Sequence, residues 1–359
     1  MEMLKIQDIL VYESDITGKR NYAGLHHKIL DLVSFNLQKG KILGIVGPTG
    51  CGKTILLKAI AGLIEPTEGT IEKFGEDISG FKPHQRNISI VFQDYALYPH
   101  LTGKNNIGFK LFMKKDSPIQ SDLRIKEIAE MMGFHEEKLL DRYPKNISLG
   151  ERQRVAIGKA IAVVPDILLF DEPLSNVEEN LRNKIRHDIR GLIKDNNLTA
   201  IYVSHNQVEI AEVADEIAVM FNGRIEQIDT YKNLYDDPKT LFVSLFIGEK
   251  TTNFIKADTM NSITGGKIKY SLTIRPDECS LMEGPDSVFV EGKVVLIENF
   301  IQDRTKIAFI EMGAELFGVQ VPIDLNIQKG HQLKIFIPLK KSKFFDNQGE
   351  SPGRVYNLW

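Results

Sequence analysis

The chain has 359 residues, 42% of them hydrophobic and 26% charged, with a formal net charge of −3. That length suits two domains, the first large enough for a substantial core, and the slightly acidic balance excludes a broad electrostatic footprint for nucleic acid. No apolar run approaches the roughly 18 residues of a membrane-crossing helix, Met1-Glu2-Met3-Leu4-Lys5 does not read as a signal peptide, and Cys51 and Cys279 are too few for a disulfide or metal framework, so any membrane role must go through a partner.

In chain order, Leu4 to Leu10 reads as a strand that delivers Tyr12, an aromatic able to stack on a base. Tyr22, in the connection from Glu13 to Ile29, is the alternative for that task. The apolar run Ile42 to Val46 then leads into Gly47-Pro48-Thr49-Gly50-Cys51-Gly52-Lys53-Thr54, and a helix-like stretch begins at Ile55. This is a phosphate-binding loop in a strand-loop-helix setting. Its glycines let the backbone wrap closely enough to aim N–H groups at a triphosphate, Lys53 adds a point charge, and Thr54 offers a hydroxyl to Mg²⁺.

A second apolar run, Ile88 to Phe92, ends at Gln93. Between about residues 94 and 155 the pattern turns helical, with Ile125, Ile128, Ala129 and Met132 on one face. Next, Ser148-x-x-Glu151 is a capping box opening a helix expected to run from Leu149 to Val164. Ile167 to Phe170 reads as a strand buried on both faces, so the carboxylates of Asp171 and Glu172 emerge at the carboxyl edge of a parallel sheet, where alternation along the strand would send them to opposite sides. A last buried strand, Ile201 to Val203, leads to Ser204 and His205. After Gly248 the texture changes to short strands, Ser287 to Val290, Lys293 to Ile297, Lys306 to Ile310 and Leu333 to Ile337, separated by turn residues as in a small β-barrel.

Taken in order, the phosphate loop, Val91-Phe92-Gln93, Ile147-Ser148-Leu149-Gly150-Glu151, Leu168-Leu169-Phe170-Asp171-Glu172 and Val203-Ser204-His205 resemble the Walker A loop, Q-loop, signature, Walker B strand and switch histidine of an ATP-binding cassette (ABC) ATPase. The resemblance implies a P-loop NTPase (RecA-like) α/β core with a helical subdomain, over residues 1–240, followed by a small all-β OB-like domain over 241–359. It implies ATP and Mg²⁺ as cofactors. Gly47 to Thr54 and Tyr12 would bind the nucleotide, with Ser148 and Gly150 acting on the ATP of a second cassette. Thr54, Gln93 and Asp171 would attend Mg²⁺, Glu172 would serve as general base, and His205 would contact the γ-phosphate. A groove beside Gln93 would seat a cytoplasmic helix of an integral membrane subunit, which places the chain at the cytoplasmic face of the inner membrane, indirectly served by a solute-binding protein.

Ile274-Arg275-Pro276-Asp277-Glu278 resembles the transport-associated OB-type (TOBE) domain of importer ATPases, and Tyr95-Ala96-Leu97-Tyr98-Pro99-His100 with Tyr235-Asp236-Asp237-Pro238 is most similar to the carbohydrate-importer branch. Importers of polyamine, iron or molybdate, or a catalytically weak regulatory cassette, are the alternatives. An ABC ATPase of DNA repair or translation is disfavoured by the single cassette and the lack of long heptad arms. The signature departs from the family's Leu-Ser-Gly-Gly-Gln at Leu149 and Glu151, and Ser175-Asn176-Val177-Glu178 departs from Ser-Ala-Leu-Asp. A carboxylate facing triphosphate at about 6 Å would cost about 3 kcal/mol. Two consequences stay open: Glu151 folds back as a cap and a homodimer works, or the altered face is weakened and the chain pairs with a non-identical cassette.

Overall fold

The computed structural model describes residues 1–17, 27–113, 117–134, 137–175, 177, 179–248, 250–264, 269–313, 315–346 and 348–351. Tyr22, Asn176 and Glu178 lie outside them. The chain divides into two compact units, Met1–Thr230 and Tyr231–Trp359; the division expected from the sequence fell at 240.

The first unit opens with β1 (Glu2–Tyr12), α1 (Glu13–Thr17), β2 (Lys28–Gln38), β3 (Ile42–Val46), α2 (Lys53–Ile60), β4 (Glu68–Lys73), β5 (Glu76–Asp77) and β6 (Ile88–Val91). The helical insertion follows as α3 (Gly103–Met113), α4 (Pro118–Met131), α5 (Glu137–Leu140) and α6 (Leu149–Ile161). The unit closes with β7 (Ile167–Asp171), α7 (Glu179–Asp195), β8 (Thr199–Val203), α8 (Gln207–Val213), β9 (Glu216–Phe221) and β10 (Arg224–Asp229). Every residue of β3, β7 and β8 is buried, which is why these strands read as unbroken apolar runs rather than alternating ones. They lie in a six-stranded sheet of order β10-β9-β3-β8-β7-β6, parallel apart from β10. A separate antiparallel sheet has the order β2-β1-β4-β5. One apolar cluster joins the two sheets through Leu56, Leu57 and Ile60 of α2.

The apolar face expected around Ile125 is present: α4 buries Ile125, Ile128 and Ala129, while Leu123 is exposed. Helix α6 stops at Ile161, short of the Val164 expected. Val164 is exposed with a φ of 51°, and the Pro165 that follows disfavours helical backbone at the residue before it.

The C-terminal carbonyls of α2 are held by a residue that no motif marks. Arg86 is 1% exposed and donates to Ala59 O at 2.8 Å, Ile60 O at 2.9 Å, Phe81 O at 2.9 Å and Ser79 O at 2.6 Å. Gly62, at φ +76°, clears room for it: a Cβ there would stand 2.6 Å from Arg86 Nε. Burial lowers the pKa of the guanidinium, although Asp77 and Glu65 partly offset this.

The second unit contains α9 (Tyr231–Asp236), α10 (Leu241–Phe246), β11 (Asn253–Ile255), α11 (Ala257–Thr264) and β12 (Ser271–Ile274). Then come β13 (Ser287–Phe300), β14 (Thr305–Met312), β15 (Glu315–Pro322), β16 (Gln332–Pro338) and β17 (Lys343–Phe345). Antiparallel sheets of order β11-β12-β17 and β15-β14-β13-β16 share one core that includes Leu272, Val290, Ile310, Phe317 and Ile335. The strands make the β-rich unit expected from the sequence, with three short helices, α9, α10 and α11, in addition. The runs Ser287 to Val290 and Lys293 to Ile297 are one strand: Ser287–Lys293 pairs with β16 and Val294–Phe300 with β14. Gly292 sits at the changeover, where a Cβ would meet Glu311 O at 2.7 Å, so the glycine that reads as a strand break instead admits a close backbone approach.

Replacing Arg86 by alanine leaves buried carbonyls at the end of the helix that carries Lys53 and Thr54, so we expect a loss of about 3 kcal/mol in stability. Chemical denaturation of the purified variant measures it; a change under about 0.5 kcal/mol would show that the four bonds contribute nothing net.

Candidate functional site

Parallel pairing brings the carboxyl ends of β3, β8 and β7 to one level, with Ile45 opposite Val203 and Val203 opposite Asp171. The connections leaving those strands are the phosphate loop, the Ser204-His205 link and the Asp171-Glu172 turn, and in open α/β sheets ligands bind at this edge. Gly47 is packed tightly, since a Cβ would meet Met220 O at 2.2 Å and Cys51 Sγ at 2.7 Å. Gly50 and Gly52 have φ of +83° and +107°. Gly50 has open space in place of a side chain, so backbone rather than Cβ faces that side. Lys53, 6% exposed, donates to Gly47 O at 2.8 Å and Pro48 O at 2.9 Å and lies 3.8 Å from Cys51 Sγ. Burial pushes the Cys51 thiol pKa up, although the Lys53 charge opposes it. The buried thiol packs against the loop beside Gly47.

Thr54 follows Lys53 on the first turn of α2, and its hydroxyl donates to Asp171 Oδ1 at 2.9 Å. Asp171 is 7% exposed. Burial raises its pKa, the Thr54 hydrogen bond lowers it, and the adjacent Glu172 charge raises it further. The structure corrects one expectation here. β7 ends at Asp171, and Glu172 has a left-handed φ of 47°, so a turn rather than strand alternation aims its carboxylate. Its backbone N–H still donates to Val203 O at 3.0 Å. The Glu172 carboxylate lies 3.1 Å from His205 Nδ1, the imidazole being 57% exposed. Two groups distant in sequence thus meet at the mouth of the site.

Tyr12 ends β1 opposite Lys28 of β2, and the carbonyl of the next residue, Ile29, would lie 2.8 Å from a Cβ on Gly52. Tyr12 therefore stands on the strand next to the one that flanks the loop. Gln93 is exposed just past the end of β6. The chain then turns through Tyr95 and Ala96, both at positive φ. A groove of about 460 Å³ beside it is lined by Leu63, Phe92, Tyr95, Tyr98, Ala156 and Lys159, among others. Its shape rests on two residues that sequence reading did not single out. The Asn106 amide accepts from Tyr98 N at 2.8 Å and donates to the carbonyls of Tyr98, Leu101 and Thr102. Lys159 donates to Ala96 O at 2.7 Å and lies 4.0 Å from the Tyr98 ring centroid. Neither belongs to a contiguous motif, so no local signal marks them.

At the start of α6, Ser148 and Glu151 form the reciprocal capping box: Ser148 N–H donates to Glu151 Oε2 at 2.6 Å and Glu151 N–H donates to Ser148 Oγ at 3.4 Å. A Cβ on Gly150, one residue earlier, would lie 3.6 Å from Ile185 Cδ1, an ordinary contact distance. Burial raises the Glu151 pKa, but the Ser148 bonds and nearby arginines outweigh it and leave the value lowered, so the carboxylate is charged against the helix N-terminus.

The family model described as ABC transporter matches residues 30–175. The lactose transport ATP-binding protein LacK of Rhizobium radiobacter is 40% identical over 72% of this chain and 70% of its own. The sulfoquinovosyl glycerol transport ATP-binding protein SmoE of Agrobacterium fabrum is 38% identical over 91% of this chain and 95% of its own. The sn-glycerol-3-phosphate import ATP-binding protein UgpC of a Jannaschia species is 42% identical over 84% and 88%. Among solved structures, the dimeric, post-hydrolysis ATP-binding cassette MJ0796 bound to ADP and Pi matches with a TM-score of 0.55 and 26% identity, covering 64% of this chain and 98% of its own. With motif order, sheet topology and relatives in agreement, the chain belongs to the ABC transporter family of ATP-binding proteins.

Proposed function

We propose that this protein is the ATP-hydrolysing subunit of a binding-protein-dependent importer for a sugar or related solute. The observation that carries the reading is the convergence of Lys53, Thr54, Asp171, Glu172 and His205 on one sheet edge, in a chain whose relatives are named for lactose transport and for sn-glycerol-3-phosphate import. Lys53 exchanges its two carbonyl partners for β/γ-phosphate oxygens, gaining charge-assisted bonds. Mg²⁺ fits the Thr54 hydroxyl and the Asp171 carboxylate, which already share one hydrogen bond. Among the described residues no group of three or more acidic, histidine or cysteine side chains could hold a metal. That suits an ion that keeps its waters and takes phosphate oxygens. When bound, Mg²⁺ neutralises charge developing on the phosphates.

Glu172 acts as general base on the attacking water, and His205, oriented by Nδ1 on the same carboxylate, presents its other ring nitrogen to the γ-phosphate. Tyr12 stacks on adenine. Gln93 links the nucleotide to the groove lined by Tyr95 and Tyr98, which seats a short helix of an integral membrane subunit. No helix among the described residues is long and apolar enough to cross a membrane, so attachment at the cytoplasmic face is peripheral, through that groove. A second cassette completes each ATP site with Ser148 and Gly150. Glu151 turned onto Ser148 supports the homodimer, because its charge is spent on the cap rather than on repelling phosphate.

Glu172→Gln should retain ATP binding while lowering turnover at least about 100-fold, the low end for losing a general base; a steady-state rate near that of the unaltered protein would sink the assignment. Lys53→Ala should weaken ATP binding itself, read by equilibrium dialysis with labelled nucleotide.

On the cap reading, the unaltered homodimer hydrolyses ATP, and Leu149→Gly combined with Glu151→Gln changes its rate less than about threefold. A rise of tenfold, about 1.4 kcal/mol recovered at the transition state, would instead favour pairing with a non-identical cassette.

Cysteines introduced beside Tyr98 should cross-link to an integral membrane protein in inverted vesicles. Exclusive capture of ribosomal or nucleic-acid-binding proteins would remove the transport reading.

A further inference from the structure

One buried carboxylate in the first unit has no part in the chemistry described so far. Glu209, on the first turn of α8, is 4% exposed. It accepts a hydrogen bond from the Tyr202 hydroxyl on one oxygen and from Ser204 Oγ, at 3.1 Å, on the other. Tyr202 is fully buried near the end of β8, with its ring centroid 5.5 Å from that of Phe170 on β7. Ser204 is the first residue past β8, 2% exposed, and its N–H donates to Ile45 O at 3.3 Å. Its hydroxyl also accepts from Asn206 N at 3.0 Å, and the Asn206 side chain caps α8 by accepting from Glu209 N at 3.1 Å. His205 thus lies between two residues tied by one hydroxyl, and that hydroxyl is tied to one carboxylate.

Energetics argue that this arrangement serves more than stability. Burial raises the Glu209 pKa, and the two hydroxyls with Arg186 and Arg182 oppose the shift. A buried charge is costly, and a well-packed apolar side chain in its place is often neutral or stabilising. What a carboxylate supplies that an apolar group cannot is directional hold on two donors at once. One donor is on a rigid strand and the other is on the link that carries the imidazole.

The geometry points to Glu209 as a positioning residue for His205: anchored by Tyr202 on β8, it grips Ser204 and fixes the backbone from which the imidazole reaches Glu172 and the γ-phosphate. This rests on the role proposed for His205 above. The cost of losing it falls on the alignment of the reacting groups rather than on nucleotide affinity, since the hydrogen bonds of the Glu209 carboxylate and the Ser204 hydroxyl go to Tyr202, to Asn206 and to each other rather than to the phosphate loop.

The test is a double-mutant cycle in the full chain, with ATP hydrolysis followed by release of labelled phosphate so that slow variants remain measurable. Glu209→Gln and Ser204→Ala should each lower kcat about tenfold with KM for ATP within about twofold. Neither should lower the residual rate further when combined with His205→Ala, because the group they position is gone. Equal proportional losses with and without His205, or a kcat unchanged in both variants, would overturn the inference. If Glu209→Gln cannot be purified folded, Ser204→Ala carries the cycle alone, since it deletes one hydroxyl and leaves the Tyr202 anchor. A His205→Ala variant at full speed would remove the role of His205 itself, and this inference with it; a slow His205→Ala variant beside unaffected Glu209→Gln and Ser204→Ala would remove the inference alone.

Discussion

The parallel register that sets Ile45 against Val203 and Val203 against Asp171 is the constraint on which the site depends. Hydrogen bonds between three wholly buried strands leave little freedom to slide, because a one-residue slip would turn every side chain to the opposite face. With that register set, the loop after β3, the turn after β7 and the link after β8 must emerge side by side. Thr54 then reaches Asp171, and Glu172 reaches His205, across more than 30 residues in one case and more than 100 in the other. The catalytic groups are aligned by the core beneath them, with each connection adding one local device: positive φ at Gly50 and Gly52, a left-handed turn at Glu172, a shared hydroxyl at Ser204.

What the sequence disclosed and what it hid divide by whether the residues form a recognisable contiguous pattern. The phosphate loop, the apolar strands and the Ser148-Glu151 cap are contiguous patterns whose chemistry is local, so they were legible and the structure contains them. Arg86 and Lys159 reach backbone carbonyls far off in sequence, while Asn106 and Glu209 bind groups within a few residues but belong to no recognisable pattern, so each reads in sequence as an ordinary polar residue. The direction of Glu172 departs from strand alternation because alternation holds only while the strand continues, and the backbone leaves it one residue earlier. Helix α6 ends before the apolar periodicity does, because Pro165 disfavours helical backbone at Val164.

The altered signature shows how one substitution can be read two ways until its geometry is known. In sequence, Glu151 is an acidic group where ABC cassettes have an amide. In the structure it completes a cap whose two hydrogen bonds satisfy amides at the start of α6. The negative charge then sits at the positive end of a helix dipole, where it is stabilising. Nothing among the described residues explains the leucine at position 149.

In the second unit, the continuity of β13 through Gly292 has a consequence for biogenesis. The segment Val294–Phe300 pairs with β14 across a short turn, so a hairpin can close as soon as the ribosome releases it. The segment Ser287–Lys293 must wait for β16, some forty residues downstream, and until then it presents an unsatisfied edge carrying Val288, Phe289 and Val290. Such an edge recruits other nascent chains. Glu291 and Lys293 bracket the changeover at Gly292, and charged residues at the end of an apolar run are the kind that disfavour pairing with other chains.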